Sequence, residues 1–466
     1  MTRCLFWMCA PLISFGLATA TARVAANDGV QLSATVSTPT MLAESKSTTY
    51  LRISLDGPEI QAAADRPPVN VAIVIDKSGS MGGKKIEQAK LAAIAAVERL
   101  RDKDIVSIVL YDSGVEVLVP STKATDREDI IRKIRTIQVG SSTALFAGVA
   151  NGAKEVRKFL ERGNVNRVIL LSDGQANVGP ASPMELADLG RSLAKENISV
   201  STLGVGQGYN EDLMMQLAAA SSGNHVFVED EASLVAIFNR EFDTLMSVVA
   251  SDLEIQVKLP EYVRPVRVLG TEAHIDGREI TIPLTQLYSG QNRYFIIELE
   301  VSGRDVNSKQ TIAEVQTRFT NTLTRESDVR SSIVSARFTS SPAEVENEMN
   351  METLAYATVL ITTERNRLAT ALRDAGKVEE AKSLLKINSD ELLKCALTCE
   401  AKNVVVVVPL LNANVKENRL QEAEIGDSQN WGKSRKRMIE YQNFNAQQQT
   451  YGGDYRSDTS SSSTKP

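Results

Sequence analysis

Between about Asn70 and Val248 of the 466-residue chain, short β-branched runs alternate with longer amphipathic stretches. VNVAIVID, IVSIVLYD, NRVILLSD and ISVSTLGVG are apolar at nearly every position, the pattern of strands buried on both faces of a parallel sheet. Between them KKIEQAKLAAIAAVERLRD, ALFAGVANGAKEVRKFLER and MELADLGRSLAKEN space apolar residues three and four apart, which predicts helices covering that sheet. VEVLVP follows a turn at Ser113 and Gly114 and predicts a hairpin partner, hence one antiparallel edge strand. The expected fold class is α/β: an open, mostly parallel sheet sandwiched by helices, spanning residues 70–248.

On both sides of this unit the period changes to two. VQLSATVSTPT and TTYLRISLDG precede it within residues 28–62, and DLEIQVKLP, VRPVRVLG, REITIPLTQL, RYFIIELEV and QTIAEVQTRFT follow within 249–340. These are half-buried strands, and two N-terminal strands alone cannot enclose a core, so a single β-sandwich split by the α/β unit is expected. Residues 341–401 turn helical, with a break at Asp374 to Gly376. From 412 to 466 the chain is polar and reads as a disordered tail, in which four basic residues between Lys433 and Arg437 read as a solvated helix face.

Composition narrows the function. Charged residues make up 24% and the net charge of -6 is dispersed, so no basic footprint for nucleic acid exists. Residues 1–22 combine Arg3, an apolar run and A-x-A cleavage options, which predicts a secretory leader and an exported, periplasmic, envelope-associated or secreted protein. Beyond residue 22 no apolar run is long enough to span a bilayer. Two cysteines follow the leader, Cys395 and Cys399, and an oxidising compartment would permit a local, strained disulfide between them.

The candidate chemistry lies at the carboxyl edge of the sheet, where open α/β folds bind ligands. VNVAIVID ends in Asp76, and DKSGSMGG sets Ser78 and Ser80 beside it in a glycine-rich loop. Thr143 of GSSTAL and Asp173 of LSDGQAN bring a hydroxyl and a carboxylate to the same edge from two further crossings. With only two histidines in the chain, this oxygen-rich set suits Mg2+ or Mn2+ better than zinc, with Ca2+ a further option. The alternative is that Asp76, the serines and Thr143 merely cap the helices that follow them.

DKSGSM, GSSTAL and LSDGQAN, in this order and strand context, resemble the three parts of the metal-ion-dependent adhesion site of von Willebrand factor type A domains. The resemblance implies that Ser78, Ser80 and Thr143 bind the cation directly and that Asp76 and Asp173 do so directly or through water. It further implies a non-catalytic module whose protein partner presents an Asp or Glu, with Lys77, Met81, Ser142 and Gln175 forming the rim that selects it. The flanking regions resemble exported bacterial proteins labelled calcium-activated chloride channel homologues. Two other functions compete: an envelope scaffold with a structural cation, and a metal-dependent hydrolase. The hydrolase lacks a phosphate-binding G-x-x-x-x-G-K-[ST] loop and a G-x-S-x-G nucleophile elbow.

Overall fold

The computed structural model describes residues 29–60, 66–161 and 163–448; the expected leader and residues 449–466 of the expected tail lie outside them. The described chain opens with β1 (Gln31–Val36), β2 (Thr40–Leu42) and β3 (Ser47–Asp56), then enters the α/β unit. There β4 (Val69–Asp76), β5 (Ile105–Tyr111), β6 (Val115–Lys123), β7 (Val165–Ser172), β8 (Ile198–Val205) and β9 (His225–Val228) form a sheet ordered β6-β5-β4-β7-β8-β9. Only the β5–β6 pair is antiparallel, the hairpin predicted from VEVLVP. Every residue of β4, β5, β7 and β8 is buried, which is why unbroken apolar runs mark them.

The alternate side chains of β4 feed two cores. Val69, Val71, Ile73 and Ile75 meet α1 (Lys84–Arg99), α2 (Arg127–Arg135) and α6 (Leu234–Met246). Ala72 and Val74 meet α3 (Leu145–Arg157), α4 (Pro183–Lys195) and α5 (Glu211–Ala220). Helix α3 sits very close to the sheet because it carries glycines where it crosses: a Cβ on Gly152 would lie 2.5 Å from Val74 Cγ2, and one on Gly148 2.6 Å from Tyr111 Cδ1.

After α6 the chain returns to β structure with β10 (Val248–Lys258), β11 (Val263–Leu269), β12 (His274–Asp276), β13 (Glu279–Tyr288), β14 (Asn292–Val301), β15 (Lys309–Asn321) and β16 (Ser327–Thr339). The N-terminal strands complete these sheets. One sheet is ordered β1-β3-β14-β11 and the other β12-β13-β10-β15-β16-β2. Met41, Leu51, Ile53 and Leu55 from the N-terminal flank share a core with Ile255, Phe295, Phe319 and Phe338. The α/β unit therefore enters the chain between two parts of one β-sandwich.

Helices α7 (Pro342–Asn347), α8 (Met351–Asp374), α9 (Val378–Ala401), α10 (Val408–Glu424) and α11 (Trp431–Gln447) follow, so residues 412–447 form the rest of α10, a short turn and α11, and the expectation of disorder there is corrected. Their polarity is turned inward. Gln442 donates to Asn366 Oδ1 at 2.8 Å and to Thr370 Oγ1 at 2.9 Å, and Asn445 donates to Asn414 Oδ1 at 2.9 Å. Buried amides that satisfy one another stand in for an apolar seam.

The basic run Lys433–Arg437 is likewise not a solvated face. Arg435 bonds Glu211 at 2.6 Å, Asp212 at 2.9 Å and Asp374 at 2.8 Å, buried Lys436 pairs with Glu211, and Lys433 and Arg437 share Glu229. The contacts to Glu211, Asp212 and Glu229 dock α11 on the α/β unit, and Asp374 ties it to α8. Cys395 and Cys399 are free, buried thiols one turn apart on α9 rather than a disulfide, packed against Met351, Ala355 and Leu411. Burial pushes the Cys395 thiol up to about 12. No described helix is long and apolar enough to cross a membrane.

Candidate metal centre

Parallel register sets the floor of the site. Asp76 closes β4, level with Tyr111 of β5, while Ser172 closes β7 on the other side. Ser172 Oγ and Tyr111 OH donate to Asp76 Oδ2 at 2.7 and 3.3 Å, and the Ser78 amide donates to Oδ1 at 2.8 Å. The carboxylate is fully buried, and that burial holds its pKa above the ordinary value; the bonds from Ser78 and Ser172 pull it down, and the charge of Asp173 raises it again.

The other groups converge on the same point. Ser78 Oγ and Ser80 Oγ are 3.1 Å apart, and Ser80 Oγ donates to Asp173 Oδ1 at 2.7 Å. A Cβ built on Gly174 would lie 3.1 Å from Thr143 Oγ1 and 3.5 Å from Asp76 Oδ2, so the glycine leaves open a cradle shared by all three loops. Backbone bonds fasten those loops together: Gly79 N to Ser141 O at 3.0 Å, and Asn177 N to Thr143 O at 3.1 Å. Asn177 Oδ1 accepts from the Thr143 amide at 2.8 Å and fixes that residue's approach.

The capping alternative fails on geometry. Ala144, not Thr143, is the N-cap of α3, Gly83 is the N-cap of α1, and neither helix start has a side-chain cap bond. Ser78 precedes the short 3-10 turn Gly79–Met81 but makes no cap bond to it either. Two carboxylates and three hydroxyls thus meet at one point without serving a helix end, with Asp76, Ser78, Thr143 and Asp173 buried and Ser80 exposed. Oxygen donors of this kind fit a small hard cation, and no group of three His, Cys, Asp or Glu side chains among the described residues offers another.

The four residues expected at the rim are placed differently from one another. Gln175 is exposed and Ser142 half-buried beside the cradle, but Met81 is fully buried in the core under α1. Lys77 is folded back onto the hairpin, 3.2 Å from Asp112 and 3.8 Å from Glu116. Sequence reasoning missed Ser172 and Tyr111, although both lie at strand ends flanking Asp76, where a parallel register would place partners. It also missed Lys85, whose ammonium pairs with Asp173 and lies 3.3 Å from Ser80 O.

Residues 70–240, which take in all three loops, match the family model of the von Willebrand factor type A domain. The α/β unit is a type A domain. Similar curated proteins include uncharacterized protein YfbK of Escherichia coli, 27% identical over 209 residues that cover 44% of this chain and 36% of YfbK. Uncharacterized protein sll0103 of Synechocystis is 25% identical over 264 residues, 54% of this chain and 62% of that protein. Human inter-alpha-trypsin inhibitor heavy chain H3 is 26% identical over 262 residues, 53% of this chain and 28% of that one. The matches therefore span less than two thirds of these relatives' own lengths.

Likeness of fold reaches past the type A domain. A von Willebrand factor type A protein from Catenulispora acidiphila aligns over 82% of this chain and 89% of its own, with TM-score 0.66 and 16% identity. The ArnB paralog VWA2 from Sulfolobus acidocaldarius aligns over 90% and 98%, with TM-score 0.62 and 16% identity. At that coverage the β-sandwich and helices belong to the shared architecture, not to the type A domain alone.

Proposed function

We propose that this protein is an exported recognition module that grips an acidic side chain of a protein partner through a divalent cation held by Asp76, Ser78, Ser80, Thr143 and Asp173. The observation that carries the reading is the shared cradle at Gly174, where buried oxygens from three loops face one point and cap no helix. The cation, Mg2+ or else Mn2+ or Ca2+, would supply an electrophilic position at which a water can be exchanged for an Asp or Glu carboxylate.

The rest is the work of the chain's own residues. Ser78, Ser80 and Thr143 would contribute neutral oxygens, so the two carboxylates Asp76 and Asp173 balance the charge of a divalent cation without exceeding it, and its position toward solvent stays open to an anionic ligand. Ser172 and Tyr111 hold Asp76 in one orientation and keep it from turning away. Ser80 and Gln175 lie on the open side of the cradle, where a partner approaches. Neither histidine belongs to the cradle: His225 is buried beside Thr202 and Tyr209, and His274 lies on β12 of the sandwich.

The test is capture from an envelope extract by the protein in Mg2+ and in EDTA, alongside Asp76→Ala, with captured proteins identified by mass spectrometry and re-tested pure. A partner retained only by the wild type in Mg2+, and lost when its own carboxylate is changed to the amide, is expected. Equal capture in every condition would leave an envelope scaffold. Ester or phosphate turnover that disappears in Asp76→Ala would make the protein a hydrolase instead.

A further inference from the structure

The cation site already contains a positive charge. Lys85 is the second residue of α1, and its ammonium pairs with Asp173 Oδ2 and lies 3.3 Å from the carbonyl of Ser80, while Asp173 Oδ1 accepts from the Ser80 hydroxyl at 2.7 Å. The carboxylate is wholly buried, and the lysine retains 28% of its side-chain exposure. One side chain thus touches both the acid and the loop that a cation must engage. Gly206, at the end of β8, closes the other side: a Cβ there would lie 3.7 Å from Lys85 Cε.

Helix stability does not account for this lysine. The first turn of a helix is the positive end of its dipole, and a cation there costs a few tenths of a kcal/mol. Lys84, its neighbour, is exposed and reaches no acid among the described residues, as surface lysines ordinarily do. Lys85 instead turns back over the helix start to Asp173.

We propose that Lys85 is an internal counter-ion that competes with the divalent cation for Asp173 and so sets the affinity of the site. The inference rests on the cation reading given above. In the metal-free protein the ammonium neutralises a carboxylate that would otherwise be buried without a counter-ion. When a divalent cation enters, either the lysine gives up Asp173 or two positive groups share it; both weaken binding. The consequence for function is a site that fills only where the cation is abundant. It also carries more uncompensated positive charge once filled, which favours an incoming carboxylate.

The test is calorimetric titration of the full chain with MgCl2 and, separately, MnCl2, together with thermal melts in EDTA and in excess Mg2+. Lys85→Gln and Lys85→Met are expected to bind both cations roughly tenfold more tightly, or better, than the wild type. Lys85→Arg and the neighbouring Lys84→Gln should stay near the wild type. In EDTA the neutral variants should melt below the wild type, because Asp173 has lost its counter-ion, and the deficit should vanish with saturating Mg2+. These metal-free melts also establish that the variants fold. If the wild type binds cation and the neutral variants bind no tighter, Lys85 is not a competitor and only this inference fails. If neither binds at millimolar concentrations, the cation reading fails with it.

Discussion

At the scale of single residues the clearest titratable group outside the cation site is His225. It is fully buried, its Nδ1 is 2.9 Å from Thr202 Oγ1 and its Nε2 3.4 Å from Tyr209 OH, and burial lowers its pKa to about 4, with Glu211 opposing and Lys436 reinforcing the shift. An unfolded histidine titrates near pH ~6.5. Between those values the unfolded chain binds a proton that the folded chain refuses, so stability is lost as pH falls through that window and is fully present above it. Urea unfolding at about pH 7 and about pH 5 should show roughly 2 kcal/mol more acid loss in the wild type than in His225→Gln. Parallel losses would mean that His225 takes up its proton without unfolding. The ligand set of the cation site was legible because it depends on spacing inside three short motifs. Lys85 was not, since its partner Asp173 lies 88 positions away and only the fold brings them together. Met81 misled for the same reason: its place in the loop motif was visible, and its burial under α1 was not.

At the scale of elements, what positions the site is how tightly helices lie on their strands. Helix α3 carries Thr143 at its entrance and is seated on β4 by Gly152. Gly152→Ala would drive a methyl to 2.5 Å from Val74 Cγ2, so the helix must lift. The expected result is a loss of about 1–3 kcal/mol together with weaker cation binding; an unchanged affinity would show that Thr143 tolerates the shift. Helix α11 is fixed differently, by charge. Lys436 is buried, pairs with Glu211 and donates to Tyr209 O at 3.0 Å, whereas Lys433 is more exposed. Lys436→Ala should therefore cost about 2 kcal/mol in urea unfolding, and Lys433→Ala no more than about 0.5. The parallel strands and the first covering helices were readable because burial on one or two faces imposes a period. Helices α10 and α11 were not, because amides such as Asn414, Gln442 and Asn445 look like surface residues until their partners are known.

For the molecule as a whole the question is how the type A domain is held to the sandwich it interrupts. Arg167 of β7 is fully buried at that junction, 2.7 Å from Glu241 of α6, 3.0 Å from Ser199 Oγ and 2.5 Å from Tyr288 OH of β13. Glu241 in turn accepts from Asn224 at 2.8 Å and also from Ser201. The cluster joins three elements of the inserted domain to one strand of the host. A buried pair of this kind adds little net stability over a well-packed apolar pair, but removing one member strands the other. Arg167→Met alone should cost about 3–5 kcal/mol, since buried Glu241 loses the guanidinium it pairs with. Arg167→Met combined with Glu241→Leu should recover most of that loss, giving a coupling of more than about 1 kcal/mol in a double-mutant cycle. Additive losses would mean that each side chain is held by its own neighbours and that the junction does not depend on their charges. A strong coupling would instead make this pair the point where the two domains share one unfolding transition, and the single variant, with its ion pair broken, should then unfold in two steps, the sandwich separating from the type A domain.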